Sequence, residues 1–303
     1  MMLNEKELAR YDRDGYLILR NVIDRSVLDP MCQSIDEFAE KQIMELHAAG
    51  KISDPHSDVP FEKRWAIVCQ ENSLQEGENS VQQWGAGSGL LNETIYTLLV
   101  ERRITDIIAS ILGSEIWAHG DYWVRPKVPA DPKTTLAWHQ DSNYYLGKGD
   151  SDYYEGDTTA TQGIVLTAWV PLVDVNEHNG CLKLVRGSHR HGSVAARRNE
   201  LKQWSPVKKV TEYGTVVNAS MQVGDVLIFN NLTLHASGNN NSDHIRWNID
   251  LRYSPTGHAV DWHKLEDELD ARFPGFVARS DDPAKVMSWE QWQDKWNISL
   301  AAK

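Results

Sequence analysis

From Asn92 to Leu112 the apolar positions Ile95, Leu98, Leu99, Ile104, Ile107, Ile108 and Ile111 recur at helical spacing, which predicts one or two amphipathic helices stopping near Gly113. The segment from Asn4 to Glu45 reads as helix, short strand, helix. In its second helix Leu28, Met31, Ile35, Phe38 and Ile43 share a face, and Asp24 or Ser26 can cap the start. Between the two helices, YLILRNVI carries the β-branched apolar run of a buried strand. A polar stretch from Gly50 to Gly89 shows little periodicity and reads as a lid or insertion. Beyond residue 113 the period shortens. EIWAHGDYWVR, TLAWHQD, GIVLTAWVPLVDV, GCLKLVRGSH, DVLIFNNLTLHAS and HIRWNIDLRYSP are short, rich in β-branched and aromatic residues, and separated by Gly, Pro, Asn or Asp clusters. Such spacing predicts an antiparallel sandwich or barrel. Neither a composition break nor a repeat divides the chain, so residues 1–303 read as a single domain. It comprises a helical part to about 113, a β core over about 114–256 and a helical tail over about 257–303. The aromatic SWEQWQDKWNISL of that tail is expected to pack on its own domain.

Composition narrows the class. Of 303 residues, 41% are apolar and 24% charged, ordinary values for a globular protein. No run approaches the ~20 apolar residues of a membrane-spanning helix, and the start MMLNEKELARYDRDG is charged where a signal peptide would be apolar. A cytoplasmic protein is the expectation. Cys32, Cys69 and Cys181 are widely spaced and form no C-x-x-C pair, which suits reduced thiols and neither a disulfide framework nor a thiolate zinc site. The net charge of -12, with no Lys/Arg-rich run, argues against a nucleic-acid partner but leaves room for a small anion held by one or two local cations. Twelve tryptophans suit an aromatic-lined pocket or, more simply, a wide sheet core.

One group of residues carries chemistry. In WHQD, His139 and Asp141 stand two apart in a strand-like segment, where such side chains share a face. His235 ends the apolar run DVLIFNNLTLH, so a third ligand can arrive from a neighbouring strand. Two imidazoles and a carboxylate, with coordination positions left open, suit non-haem iron(II). An isolated H-x-D pair is more often a hydrogen-bonded structural pair, and its company matters. Arg246 follows His235 across the turn-forming GNNNSD, so a hairpin returns it to the same sheet, where it can grip a carboxylate with two parallel hydrogen bonds. The H-x-H of His189 and His191, and Asp225 in the VGD turn, read as structural.

The ordered set DGYLILRNVID, WHQD, WVPLVDVNEHNGCLKLVRGSH, VGDVLIFNNLTLHASG and HIRWNIDLRY resembles the phytanoyl-CoA dioxygenase family of iron(II)- and 2-oxoglutarate-dependent oxygenases over nearly the whole chain. The resemblance implies a mainly β fold with flanking α-helices, a double-stranded β-helix of the jelly-roll, cupin-like kind. It makes His139, Asp141 and His235 the iron(II) ligands and catalytic centre. Arg246 and Ser237 would hold the distal carboxylate of 2-oxoglutarate, Trp169 would pack beside that cosubstrate, and Lys127 in RPKVP would help neutralise its metal-bound end. The family consumes O2 and 2-oxoglutarate, releases succinate and CO2, and usually hydroxylates an unactivated carbon. Asp141 favours hydroxylation over halogenation, because halogenating relatives lack that carboxylate, while desaturation, ring closure and epimerisation stay open. The chain departs from the family at Arg186, which stands where proline is usual in a P-G-S-H pattern. Trp123, Tyr144 and Tyr145 are candidates to bind a small-molecule substrate, with residues 50–89 and 142–163 shaping the mouth. No basic cluster for a coenzyme A diphosphate is evident, so the namesake substrate is not carried over. From another class, a non-oxidative metal-binding β-barrel, either a zinc-type hydrolase or a small-ligand sensor, would use the same ligands. Arg246 with Ser237 argues against it. Oligomeric state is left open by the sequence.

Overall fold

The computed structural model describes residues 2–76, 84, 90–145, 151–157, 164–257 and 274–301. Helix α1 (Glu5–Asp14) opens with a capping box. The Asn4 side chain accepts from the Lys6 and Glu7 amides, and the Glu7 carboxylate accepts from the Asn4 amide. It ends at Gly15, whose φ of 80° reverses the chain into β1 (Tyr16–Leu19). Helix α2 (Arg25–Ala48) follows. Asp24 occupies its N-cap position without capping it, since its carboxylate is taken by Arg103 at 2.6 Å.

The polar stretch after α2 departs from the expectation of an irregular lid. Helix α3 (Phe61–Glu76) lies within it and buries Trp65, Ala66, Val68 and Cys69. Its apolar spacing is helical, but the charged residues between these positions hid it. Of the rest, residues 77–83 and 85–89 lie outside the described residues. Helices α4 (Glu93–Leu99) and α5 (Arg102–Leu112) match the predicted pair, with Gly113 closing the second at φ 94°.

The strands are β2 (Ile116–Ala118), β3 (Trp123–Lys127), β4 (Tyr153–Tyr154), β5 (Leu166–Pro171), β6 (Leu182–Arg186), β7 (Ala196–Arg198), β8 (Trp204–Pro206), β9 (Thr215–Ala219), β10 (Val226–Asn230), β11 (His235–Ser237), β12 (Arg246–Pro255) and β13 (Phe276–Arg279). A single-turn helix, α6 (Ser142–Tyr145), precedes β4, and α7 (Trp289–Ala301) closes the described chain. The predicted helical tail therefore also contains a strand. In β13, Phe276 and Ala278 are buried at the two-residue period of a strand.

All strand pairs are antiparallel. A seven-stranded sheet runs β1-β10-β5-β12-β2-β13, with β3 also paired to β12. A second sheet, β11-β6-β9, is extended by an isolated bridge between His139 and His235, and a third, β4-β7-β8, stands apart. The first two face each other across a core in which Trp169, Leu227 and Phe229 meet Leu182, Leu184 and Ala219. This is the double-stranded β-helix. The opposite face of the large sheet packs on the helices: Ala168, Val170, Ile228, Ile249 and Leu251 join Leu28, Ile35, Leu98 and Ile107 in one apolar cluster. Aromatic rings fill that interface. Trp247 stacks on Phe61 at 4.9 Å and meets Trp84 at 5.4 Å, while Trp292 and Trp296 of α7 are fully buried. Each such ring removes about 200 Å² from water, on the order of 5 kcal/mol before entropy. The tail packs on its own helical face, as the sequence suggested. Among the described residues no helix is long and apolar enough to cross a membrane.

Strand β12 shows how one sequence serves both layers. Trp247, Ile249, Leu251 and Tyr253 face the helices, whereas the alternate positions Arg246, Asn248, Asp250 and Arg252 are buried on the inner face and line a cavity between the sheets.

Candidate functional site

The apolar run expected to deliver His235 on one strand is divided. β10 belongs to the large sheet and β11 to the small one, and residues 231–234 cross between them. Asn230 makes the crossing, since its side-chain oxygen accepts from the Leu232 amide at 3.0 Å and its carbonyl from the Thr233 amide at 3.0 Å. His235 then pairs with His139 through two backbone hydrogen bonds of 2.9 and 3.0 Å. The expected same-face strand geometry holds at His139 but not at Asp141. The chain turns there, with the Asp141 carbonyl accepting from the Tyr144 amide, and that turn brings the carboxylate round to the imidazoles.

The three side chains converge. Their ligand atoms all lie within 4.8 Å of one another, and all three residues are buried. Asp141 Oδ1 is 3.5 Å from His139 Nε2 and 3.7 Å from His235 Nε2, close to the ~3 Å between neighbouring donors about 2.1 Å from one metal. Each imidazole is held from behind: His139 Nδ1 donates to the Ala137 carbonyl at 2.7 Å and His235 Nδ1 to the Thr233 carbonyl at 3.0 Å. That assignment fixes the tautomer and leaves both Nε2 lone pairs facing the carboxylate. Thr167 Oγ1 donates to Asp141 Oδ2 at 3.2 Å. Burial opposes ionisation of Asp141, but the His235 and His139 imidazoles beside it outweigh that cost and hold the carboxyl well below the usual range. Burial and the neighbouring His139 push His235 down to about 4 against the pull of Asp141. The carboxylate and the His235 imidazole are thus in their metal-binding forms at neutral pH.

Farther into the same cavity lies a cationic end. Arg246 does not return to the sheet of His235. It stands on β12 in the facing sheet, because the 238–245 turn crosses between the layers, with Asn240 Nδ2 bonding the carbonyls of Lys127 and His244 at 2.8 Å each. The guanidinium lies over the Trp169 ring at 5.3 Å and donates to the Asn248 side-chain oxygen, and among the described residues its Nε has no hydrogen-bond partner. Burial lowers its pKa to about 10, so it stays charged at neutral pH. Lys127 is directly opposite in the register and is 1% exposed. Its ammonium donates to Ser237 Oγ at 3.2 Å, Thr135 Oγ1 at 2.9 Å and the Thr134 carbonyl at 3.0 Å. The Ser237 contact ties Lys127 to the residue expected to share the distal carboxylate with Arg246, whereas Lys127 itself was expected to serve the metal-bound end. Burial, then the charge of Arg246, push its pKa down to about 7.

The mouth residues are less uniform. Trp123 is half-buried under the Arg125 guanidinium at 5.8 Å, and Tyr144, 45% exposed, stands edge-on to His139 at 5.4 Å. The Tyr145 side chain and residues 146–150 and 158–163 lie outside the described residues. His189 is structural as read. Its Nε2 donates to the Asp12 carbonyl at 2.9 Å, and its ring lies so close to Gly15 that a Cβ there would meet Nδ1 at 2.3 Å. Asp225 accepts from the amides of Asn21 and Gln222 and from Arg20, which makes it a turn residue.

Sequence reasoning passed over Gln140, Arg125 and Asp250. Gln140 is fully buried between two ligands, donates to the carbonyls of Gly192 at 2.8 Å and Leu232 at 2.6 Å, and accepts from the Val194 amide at 2.8 Å. Nothing in WHQD marks it. Arg125 and Asp250 were signalled by strict alternation in VRPK and RWNIDLRY, whose polar positions can only face inward if the apolar ones face the helices.

A family profile described as phytanoyl-CoA dioxygenase (PhyH) matches residues 11–248. The ectoine dioxygenase of Bordetella bronchiseptica is 24% identical over 268 residues, spanning 83% of this chain and 75% of that protein. The peroxisomal phytanoyl-CoA dioxygenase of Bos taurus is 20% identical over 273 residues, spanning 86% and 71%. Among solved structures, EctD from S. alaskensis with 2-oxoglutarate and 5-hydroxyectoine superposes with a TM-score of 0.54 at 18% identity, covering 84% of this chain and 76% of that one. The non-heme monooxygenase ThoJ gives 0.54 at 18% identity, covering 97% and 99%. With the profile spanning most of its length, the chain belongs to the phytanoyl-CoA dioxygenase family of iron(II)- and 2-oxoglutarate-dependent oxygenases.

Proposed function

We propose that the protein hydroxylates an unactivated carbon of a small-molecule metabolite. The observation that carries this reading is the pairing, in one cavity, of a His-Asp-His donor set with a buried arginine whose Nε lacks a partner among the described residues. A buried cation without an acid partner is costly, and a carboxylate gripped by Arg246 relieves it. A zinc-type hydrolase or ligand sensor has no use for that clamp.

His139 Nε2, Asp141 Oδ1 and His235 Nε2 would hold iron on one side, leaving the opposite positions open. Arg246, Ser237 and Lys127 would receive the distal carboxylate of 2-oxoglutarate, with Trp169 forming the wall beside its chain. When bound, iron and 2-oxoglutarate supply the oxidising power that O2 delivers to a C–H bond, with succinate and CO2 as products. The chain's own part is to orient and to keep water out. The carbonyls of Ala137 and Thr233 hold both imidazoles in one tautomer, Thr167 orients the carboxylate, and the two facing sheets bury the reacting region. Asp141 fills the position a halide would need, which favours hydroxylation. The three cysteines are free thiols, in keeping with a cytoplasmic setting.

Anaerobic addition of iron(II) and 2-oxoglutarate to metal-free protein tests the reading through the weak visible absorption of the chelate. The band should form in the native protein and be lost in Asp141→Ala. Tight zinc binding with no such band would return the assignment to the non-oxidative alternative.

A further inference from the structure

The cavity holds more positive charge than the cosubstrate can use. Five cationic side chains line it against two carboxylates, in a protein whose net charge is -12. Iron and 2-oxoglutarate carry equal and opposite charges, so loading the site leaves that excess unchanged. Arg246 and Lys127 face the cosubstrate, Lys133 is exposed to solvent, and Arg252 bonds the carbonyl of Asp121 at 2.8 Å and its carboxylate at 3.4 Å. Arg125 is left.

Its setting is that of a prepared binding group. Strand β3 places Trp123, Arg125 and Lys127 on the inner face at alternate positions, so Arg125 stands one strand step from the cosubstrate's cationic end. Arg125 Nε bonds Asp250 Oδ2, and Asp250 Oδ1 accepts from Asn248 Nδ2 at 2.6 Å. Asn248 in turn accepts from Arg246. A single carboxylate is thereby shared by Arg125 directly and by Arg246 through Asn248, which orients both guanidinium groups without neutralising both. Among the described residues the two Nη groups of Arg125 donate to nothing, and its side chain keeps 19% of its surface open to the cavity. A planar fork fixed at Nε with both Nη groups available is suited to a carboxylate approaching end-on. Trp123 lies beneath the guanidinium and Tyr144 stands edge-on to His139, one aromatic surface at the fork and one at the metal ligands.

We infer that Arg125 binds a carboxylate of the substrate, and that the enzyme takes a small organic acid whose apolar part lies along Trp123 and Tyr144 in front of the metal ligands. This rests on 2-oxoglutarate occupying Arg246 and Lys127.

The test compares indole-3-acetate with indole-3-acetamide, which are alike in size and differ in charge. Each is titrated into protein saturated with 2-oxoglutarate, with and without iron(II) under anaerobic conditions, and followed by isothermal titration calorimetry. The acid should bind at least about tenfold more tightly than the amide. Arg125→Gln should bring the two within about twofold while the amide affinity and the cosubstrate midpoint stay as in the native protein, and Arg125→Lys should recover part of the preference. Equal affinities in the native protein overturn the inference, as does a preference that survives Arg125→Gln, or failure of the acid to bind at millimolar concentration. The native comparison needs no variant, so misfolding of a substituted protein cannot rescue a negative result. The calorimetric titration is also independent of the chelate band, so loss of the band tells against the reaction class while acid selectivity is judged separately.

Discussion

Replacing Lys127 with methionine should stabilise the ligand-free protein and weaken its hold on 2-oxoglutarate. The magnitude follows from the side chain's position. Lys127 is 1% exposed and hydrogen-bonded only to uncharged oxygens, and burial with the adjacent Arg246 pushes its pKa from 10.5 down to about 7. At ~1.4 kcal/mol per pH unit, that depression corresponds to a ceiling of roughly 5 kcal/mol for keeping the ammonium buried. Below about pH 7 the folded and unfolded chains both keep the proton and the full cost stands. Above it the folded chain sheds the proton while the unfolded chain holds it to about pH 10, so the unfolded state binds more protons and stability rises with pH. Native protein should therefore gain on Lys127→Met by up to about 1.4 kcal/mol per unit from pH 7 to 9, or about 3 °C per unit in melting temperature for a chain of this size. Thermal unfolding of both metal-free proteins across that range isolates the lysine, because other groups cancel in the difference. For the cosubstrate the sign is opposite. A carboxylate at Ser237 and Arg246 draws the proton back onto Lys127, so native affinity should fall as pH rises above about 7, and the methionine variant should bind about 10- to 100-fold more weakly at neutral pH with that slope removed. A melting difference that does not change with pH, together with unaltered cosubstrate affinity, would refute the reasoning.

Arg246→Met should raise the 2-oxoglutarate dissociation constant by about two orders of magnitude while metal affinity, measured by calorimetry with manganese(II), changes little; equal loss of both would indicate misfolding. Gln140→Ala leaves two carbonyls and one amide without a partner in a dry site, so it should cost about 3 kcal/mol in denaturant unfolding and lower metal affinity, with an unchanged midpoint counting against its role between the ligands. Gly15→Ala places a Cβ against the His189 ring at a φ of 80°, and an expected loss of about 2 kcal/mol or more is checked by the same unfolding curve.

Helices α4 and α5 were legible because their apolar faces repeat over several turns and end on a glycine, and each ligand was legible from its residue type and neighbours. What failed was geometry set by tertiary contacts. DVLIFNNLTLH reads as one apolar strand, and only the Asn230 hydrogen bonds divide it between two sheets. Arg246 was placed on the sheet of His235 because a turn sequence announces a reversal but not whether the returning strand pairs with its predecessor or crosses to the facing layer. Helix α3 was missed because charged residues surround its buried positions. The contacts of Lys127 were not legible because nothing along the chain foretells that Thr134, Thr135 and Ser237 converge on its ammonium.

Thr233 ties the N-terminal segment to the metal centre. Its carbonyl receives the proton of His235 Nδ1, and its hydroxyl donates at 2.8 Å to the carbonyl of Gly15, in the turn that leads into β1. β1 itself covers the edge of β10, and the His189 ring closes over the same turn. During synthesis the first twenty or so residues thus wait for partners more than two hundred positions away, a separation that makes closure slow. Until then β10 has an open edge, and the Thr233 hydroxyl beside His235 lacks the acceptor that anchors it. Metal capture is therefore expected late in folding, once the first strand has docked, and iron supplied earlier would meet a site whose His235 segment is not yet anchored.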